Sequence, residues 1–185
     1  LNLEMWSKTD GEEIKKVLNR INKLKLSKLS EDLLFQILFT NAYSPQKNLD
    51  AVEFLKVQNP DLILSIGSDI IREKFLEIPT IGVLNVHMGI LPEYRGIGVT
   101  EWPIIENRVH DVGLGITLHF MDSGVDTGPI VDTKKINIHN CNSLDELESK
   151  YLNEMVNLMI KGVKMARDNE QLLKPQIKDG IDRGK

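Results

Sequence analysis

The hydrophobic pattern divides the chain into a helical front, a middle of short apolar runs and one long amphipathic helix. In "TDGEEIKKVLNRINKL", apolar residues recur at Ile14, Val17, Leu18, Ile21 and Leu24, which is one helical face. Asp10, with Glu13 three residues on, fits a capping box at its start. "SEDLLFQILFT", from Ser30, is apolar almost all round, so a second helix and a buried strand both satisfy it. "NLDAVEFLKVQNP" predicts a helix that stops at Asn59, because Pro60 disfavours helical geometry in the residue before it.

From Pro60 the runs shorten. "DLILSIG" and "IGVLNVH" are continuous apolar stretches, as strands buried on both faces would be. "DIIREKFL" between them is a helical turn or two. "GLGITLHFM" predicts a third strand and "PIVDTKKINIH" a fourth, the latter alternating like an edge strand. "GVTEWPIIEN" predicts a helix from Val99 to Asn107, with Pro103 in its first turn, where a missing N–H does little harm. "SLDELESKYLNEMVNLMIKGVKMA" is the clearest helix. Ser143 and Glu146 form its capping box, and Leu144, Leu147, Tyr151, Leu152, Met155, Met159 and Val163 its core-facing stripe. Strands alternating with helices predict an α/β domain with a largely parallel sheet flanked by helices. The expected organisation is a single domain over 1–185, with a helical N-terminal segment (1–45), a core (59–140), a C-terminal helix (143–167) and a polar tail (168–185).

Composition narrows the classes. The 185 residues suffice for a sizeable core, and 41% hydrophobic with 27% charged residues is ordinary for a globular protein. A net charge of −4 leaves no basic footprint for nucleic acid, and "KLKLSK" reads as a solvated helix face. The one cysteine, Cys141, excludes an internal disulfide and fits a reducing compartment. No apolar run reaches the roughly 18 residues of a membrane span, and no signal-peptide pattern opens the chain. The expected setting is the cytoplasm, without a membrane partner; the oligomeric state stays open, a homodimer included.

The candidate chemistry lies in two segments. Asn85 and His87 end the strand "GVLNVH" and, two apart, project from one face. They sit at the carboxyl edge, where open α/β sheets build ligand sites. "MDSGVDTGP" follows "GLGITLHF" and should emerge at the same edge, offering Asp122 and Asp126 among Gly124 and Gly128. Taken singly, one segment is also a polar strand terminus and the other a turn. Together they bring an Asn that can donate to an oxyanion, a His that titrates near neutrality and an Asp that can orient it.

"NVHMGILPEYRG" followed by "GITLHFMDSGVDTGP" resembles the folate-dependent formyltransferases, the family of glycinamide ribonucleotide transformylase, methionyl-tRNA formyltransferase and the sugar N-formyltransferases. The likeness runs from about Asn59 to Val131. It implies a Rossmann-like formyltransferase domain and transfer of a formyl group from N10-formyltetrahydrofolate to a primary amine. Asn85 and protonated His87 would stabilise the oxyanion, and Asp126 would hold His87 charged and help deprotonate the amine. It further implies a pterin slot at Gly67, Ser68, Asp69, Ile70, Ile71, Asp122, Gly124 and Val125. Tyr94, Arg95 and Gly96 would border the acceptor. His119, pointing along its strand toward the Asp loop, either supports that loop or is an ordinary core or surface histidine. Members commonly carry Pro or Ala, then Ser, after the His; here Met88 and Gly89 stand there, which alters the loop and leaves the three reacting positions in place. Members also open with a strand and a Gly/Ser-rich turn. None precedes Asp10, so the expected sheet lacks its first strand in this chain.

The favoured acceptor is a nucleotide-linked amino sugar, a small molecule rather than a nucleic acid. The grounds are the acidic charge, the "PEYRG" loop with Trp102 soon after, and no tail extension of the methionyl-tRNA kind. Glycinamide ribonucleotide is the alternative acceptor, and a formyltetrahydrofolate hydrolase or a non-catalytic folate- or nucleotide-binding module the alternative function. A metal hydrolase built on His87, His119, Asp122 and Asp126 finds no His-x-x-His spacing or Cys set, and no metal is expected.

Overall fold

The helix before Pro60 ends where the sequence predicts. This helix, α1 (Leu49–Gln58), gives way to Asn59, whose backbone is left-handed (φ 45°). The Asn59 N–H closes the last turn onto Leu55 O and Lys56 O, the usual way of satisfying terminal carbonyls. The structure, a computed structural model, describes residues 49–66, 70–139, 141, 143–167, 176 and 181–182. The helix expected from Asp10, the segment from Ser30 and the Gly67 to Asp69 part of the pterin slot lie outside the described residues. The chain divides into two compact units, Leu1–Phe54 and Leu55–Lys185, and the elements after α1 all belong to the second.

These are β1 (Leu62–Ser65), α2 (Glu73–Leu76), β2 (Gly82–His87), β3 (Tyr94–Arg95), α3 (Trp102–Ile105), β4 (Gly115–Phe120), β5 (Ile130–Lys135), α4 (Leu144–Arg167) and β6 (Ile181–Asp182). The main sheet has the order β1-β2-β4-β5, and β3 pairs with β6 apart from it. The expected α/β class holds. The sheet is mixed, however, where alternation predicted a largely parallel one: β1 and β2 run parallel, but β2–β4 and β4–β5 are antiparallel. A parallel return needs a crossover, usually helical. The helix between β2 and β4, α3, is a single turn, so the chain comes back along its neighbour. That helix is also shorter than the Val99 to Asn107 expected.

The two central strands each interleave two kinds of residue. Leu84 and Val86 alternate with Asn85 and His87, and Ile116 and Leu118 with Thr117 and His119. The apolar set faces α4 and packs with Tyr151, Met155, Leu158 and Met159; the polar set faces the other way. β5 lies at the sheet edge, as its alternation predicts. β1 departs from the two-sided burial expected: Leu64 keeps 47% of its surface exposed. A continuous apolar run does not by itself distinguish one-sided from two-sided cover.

In α4 the Ser143 hydroxyl accepts the Glu146 N–H at 3.2 Å, the first half of the capping box. Two members of the expected stripe are corrected: Leu152 is 61% exposed and Val163 39%. The buried line runs instead through Tyr151, Met155, Leu158 and Met165, with Gly162 at its closest approach to the sheet. The Leu144 side chain lies outside what is described.

A Cβ at Gly162 would stand 2.5 Å from Leu84 Cδ2 and 2.7 Å from Leu118 Cδ2. Gly162→Ala should therefore lower stability by about 1 kcal/mol or more through overpacking, against the roughly 1 kcal/mol that Ala gains in a helix. Leu118→Ala should cost about 2–5 kcal/mol. The double variant should lose at least ~0.5 kcal/mol less than the sum in urea unfolding, because each change relieves the other. Strict additivity would show that the helix does not rest on Leu118.

Candidate active site

The antiparallel register of β2 and β4 sets Asn85 directly opposite His119 and His87 opposite Thr117. Residues so paired hold their Cβ atoms about 5 Å apart, so their side chains meet. Asn85 Nδ2 lies 3.1 Å from His119 Nε2. The other ring nitrogen, His119 Nδ1, is 2.9 Å from the Phe120 carbonyl. A carbonyl only accepts, so Nδ1 carries a hydrogen; Nε2 stands between the Asn85 amide and Asp126 Oδ1, and its protonation decides which of the two it bonds. Among the described residues, at most one Asn85 N–H is used in this contact.

His87 is held from both ends. Its Nε2 donates to the Tyr94 carbonyl at 2.8 Å, and its Nδ1 faces Asp126 Oδ2 at 3.3 Å. Asp126 enters from the β4–β5 link with a left-handed backbone (φ 50°). Its Oδ1 lies 3.4 Å from His119 Nε2, and its Oδ2 accepts the Gly96 N–H at 2.9 Å. Gly96 has φ 85°, which only glycine adopts freely. A bulge interrupts β4–β5 pairing between Leu118 and His119, beside this cluster, where bulges commonly re-aim side chains.

The loop after His87 is pinned by Thr117, whose hydroxyl donates to Gly89 O at 2.8 Å and accepts the Leu91 N–H at 3.1 Å. A Cβ on Gly89 would stand 2.8 Å from His87 Nε2 and 3.0 Å from Tyr94 O. The Met88-Gly89 departure is therefore coupled to the way His87 is held.

Burial is the main influence on His87 and lowers its pKa; Asp126 and the Tyr94 carbonyl oppose it, and His119 adds to the lowering. Burial raises the Asp126 pKa, but His119, His87 and the Gly96 N–H together outweigh it and leave the carboxyl below its usual value. Asp126 is thus an anion held for its neighbours, and His87 a base that burial keeps free of a second proton.

These groups open onto a cavity of about 650 Å³, a size usual for small-molecule sites. Ile70, Ile71, Met121, Val125, Leu152 and Met155 supply apolar lining; Asn85, His87 and Asp126 supply polar lining, and Gly96, Gly124 and Glu101 also border it. No Lys or Arg is among the described residues that line it.

Other expected site residues lie elsewhere. Asp122 Oδ1 accepts from the Gly124 N–H at 3.0 Å and the Thr127 hydroxyl at 2.6 Å, which closes its own turn. Tyr94 is fully buried and its hydroxyl donates to Glu106 at 2.9 Å. Arg95 is 5% exposed and bonds Gln176. Neither lines the cavity; β3 points them into the protein, and only Gly96 of the three reaches it. Trp102 packs on the cluster of Ile90, Tyr94, Val99 and Val112. Sequence reasoning missed Thr117 and Gln176. Thr117 had a signal, two residues from His119 on one strand face. Gln176, alone in a polar tail, had none. Among the described residues no group of three or more His, Cys, Asp or Glu could hold a metal ion, and no helix is long and apolar enough to cross a membrane.

A family model described as formyl transferase matches residues 14–163. The chain belongs to the formyl transferase family. Among its relatives, the methionyl-tRNA formyltransferase of Clostridium tetani is 32% identical over 148 residues, 78% of this chain and 46% of that protein. The methionyl-tRNA formyltransferase of Clostridioides difficile is 34% identical over 114 residues, 60% of this chain and 36% of that protein. The chain spans less than half the length of these relatives. A formyltransferase from Anoxybacillus kamchatkensis, solved with UDP-4,6-dideoxy-4-formamido-L-AltNAc and tetrahydrofolate, shares the fold: TM-score 0.64 at 20% identity, over 98% of this chain and 84% of that one. Glycinamide ribonucleotide transformylase 1 from Symbiobacterium toebii has a TM-score of 0.62 at 18% identity, over 95% and 80%.

The lowered His87 pKa fixes a sign for stability. Below its ordinary value of 6.5 the unfolded chain takes up a proton that the folded chain resists, so stability falls as pH falls. The depressed Asp126 carboxyl acts in the same direction at lower pH, below 3.8. The melting temperature should drop between about pH 7 and about pH 5, and drop less in His87→Gln. An equal drop in the variant would place the acid sensitivity elsewhere.

Proposed function

We propose that the chain transfers a formyl group from N10-formyltetrahydrofolate to a primary amine. The observation that carries the reading is the convergence of Asn85, His87 and Asp126 on one cavity in a chain of this family. The amine nitrogen attacks the formyl carbon, and the carbonyl oxygen becomes an oxyanion. An Asn85 side-chain N–H donates to it. His87 Nδ1 takes the proton from the attacking nitrogen, and Asp126 stabilises the imidazolium that forms. Collapse breaks the bond from carbon to N10, the proton passes from His87 to N10, and a formamide and tetrahydrofolate leave. This differs from a protonated His87 beside the oxyanion, because the His87 Nε2–H is already given to Tyr94 O. The walls at Ile70, Ile71 and Val125 suit a flat heteroaromatic donor. The carboxylates of Glu101 and Asp126, with no cation among the described lining residues, suit an acceptor that presents a primary amine.

The acceptor in this reading is an amino sugar linked to a nucleotide. The net charge of −4 supports it, as does the nucleotide sugar bound by the Anoxybacillus kamchatkensis enzyme. Methionyl-tRNA is the second reading, favoured by the 32% identity to the Clostridium tetani protein. One assay separates them: release of tetrahydrofolate by the full-length protein with nucleotide-activated amino sugars, with glycinamide ribonucleotide, with charged initiator tRNA and with no amine. Dependence on an amino sugar supports the first reading, dependence on the tRNA the second, and release without amine a hydrolase.

With the true acceptor, His87→Ala and Asp126→Asn should each lower kcat by at least about 10², and Asn85→Ala by roughly 10²–10³, while thermal melting still reports a folded protein. Near-normal turnover in His87→Ala would sink the mechanism.

A further inference from the structure

We propose that Gln176 is a positioning residue: its side-chain amide fixes the Asp126 loop so that the carboxylate stays aimed at His87. The inference rests on the formyl-transfer reading for its kinetic arm. The Gln176 Nε2 donates to Asp126 O at 2.9 Å and to Gly128 O at 2.6 Å. Its Oε1 accepts from Arg95 Nη2 at 3.0 Å and, more weakly, from Arg95 Nε at 3.3 Å. Both N–H groups and the carbonyl of one amide are therefore engaged. Only a primary amide offers two donors and an acceptor in that arrangement. Glutamate would set a carboxylate against two carbonyl oxygens, and lysine would face Arg95.

The other anchors show why this clamp bears on proton transfer. Three consecutive residues reach the site in turn: the Tyr94 carbonyl holds His87, the Arg95 guanidinium holds Gln176, and the Gly96 N–H holds the Asp126 carboxylate. Gln176 closes this into a ring, from His87 through Tyr94–Arg95, across to Gln176, onto the Asp126 backbone and back through its carboxylate. Next to it, β6 runs parallel to β3, with Tyr94 opposite Ile181 and Arg95 opposite Asp182. Asp126 itself has φ 50°, a conformation that persists in a non-glycine residue when its surroundings enforce it. The two Gln176 bonds grip the loop at Asp126 itself and two residues on.

The groups that face His87 are Asp126 on the β4–β5 link, His119 on β4 and the Tyr94 carbonyl on β3. If the loop loosens, the Asp126 contribution weakens while the burial of His87 stays. His87 should then titrate at lower pH, and the imidazolium formed during reaction should lose its counter-charge.

The test uses the full-length protein and the variants Gln176→Ala and Gln176→Glu. Gln176→Ala should lower kcat by about 10–10², the scale of a roughly 1 Å misplacement, with KM for donor and acceptor changed less than about threefold. Its acid limb in kcat should move to lower pH. By NMR, its His87 titration midpoint should fall by about half a unit or more. Gln176→Glu, which keeps a partner for Arg95 but no donors for the two carbonyls, should be as slow as the alanine variant and serves in its place if that variant melts early. An unmoved His87 titration in folded Gln176→Ala, or a Gln176→Glu enzyme as fast as wild type, overturns the proposal. If wild type transfers formyl to no amine, the functional reading fails separately, and the His87 titration still decides the role of Gln176.

Discussion

The register of β2 against β4 is the constraint on which the site depends. Because side chains alternate with period two, a slip of β2 by one residue would turn Asn85 and His87 under α4 and expel Leu84 and Val86, and a slip of β4 would do the same to Thr117 and His119 against Ile116 and Leu118. Leu84, Ile116 and Leu118 are at most 1% exposed. Each such burial is worth about 1.5–3 kcal/mol, so the slipped register is excluded by apolar packing alone. The polar face contributes little to that choice and inherits its geometry from it. Asn85 meets His119 because leucines on the reverse side leave it no alternative.

On that fixed face, Asp126 organises the charges. Its two oxygens are shared among His87, His119 and the Gly96 N–H. Taking a carboxylate out of water is costly unless it is paired and hydrogen-bonded, and here its partners outweigh the burial. The same carboxylate opposes the desolvation of His87. A base that burial keeps neutral, next to an anion that welcomes its conjugate acid, is suited to accept a proton and return it within one catalytic cycle. Tyr94, Arg95 and Gly96 are the frame for this pair. They act through a carbonyl, a guanidinium and an N–H rather than through contact of the Tyr94 and Arg95 side chains with the cavity.

Much of this was legible in the sequence, and the parts that were not have physical reasons. Asn85 and His87 could be paired by spacing, and Asp126 by its place at the end of the next strand. The alternation of strand and helix pointed to the α/β class, but strand direction depends on whether a connection contains a true crossover helix, and "EWPII" looked longer than its single turn. Tyr94 and Arg95 were drawn to the acceptor because polar residues after a reactive histidine look functional. Nothing local says that a two-residue strand turns them inward. Gln176 was beyond reach because its partners, Arg95, Asp126 and Gly128, are distant in sequence and only the folded chain brings them together.

The exposed apolar residues carry the last step. Ile66, Ile70, Met88, Ile97 and Leu152 are each exposed by 39% or more, and all five line the cavity that holds Asn85, His87 and Asp126. Scattered exposure of this kind needs no explanation, but convergence on one concave surface does. Leu152 shows the logic most clearly. It breaks the packing stripe of α4, one residue from the buried Tyr151, and so looks like an error of amphipathic design. Tyr151 presses on the sheet, Met155 reaches both core and cavity, and Leu152 stays with the cavity wall, so one helix serves the core and the cavity at once. Local rules commonly fail where a surface serves a site and not the packing of the rest of the chain. The same apolar wall stands beside the polar face of Asn85, His87 and Asp126, which is the juxtaposition the proposed donor needs.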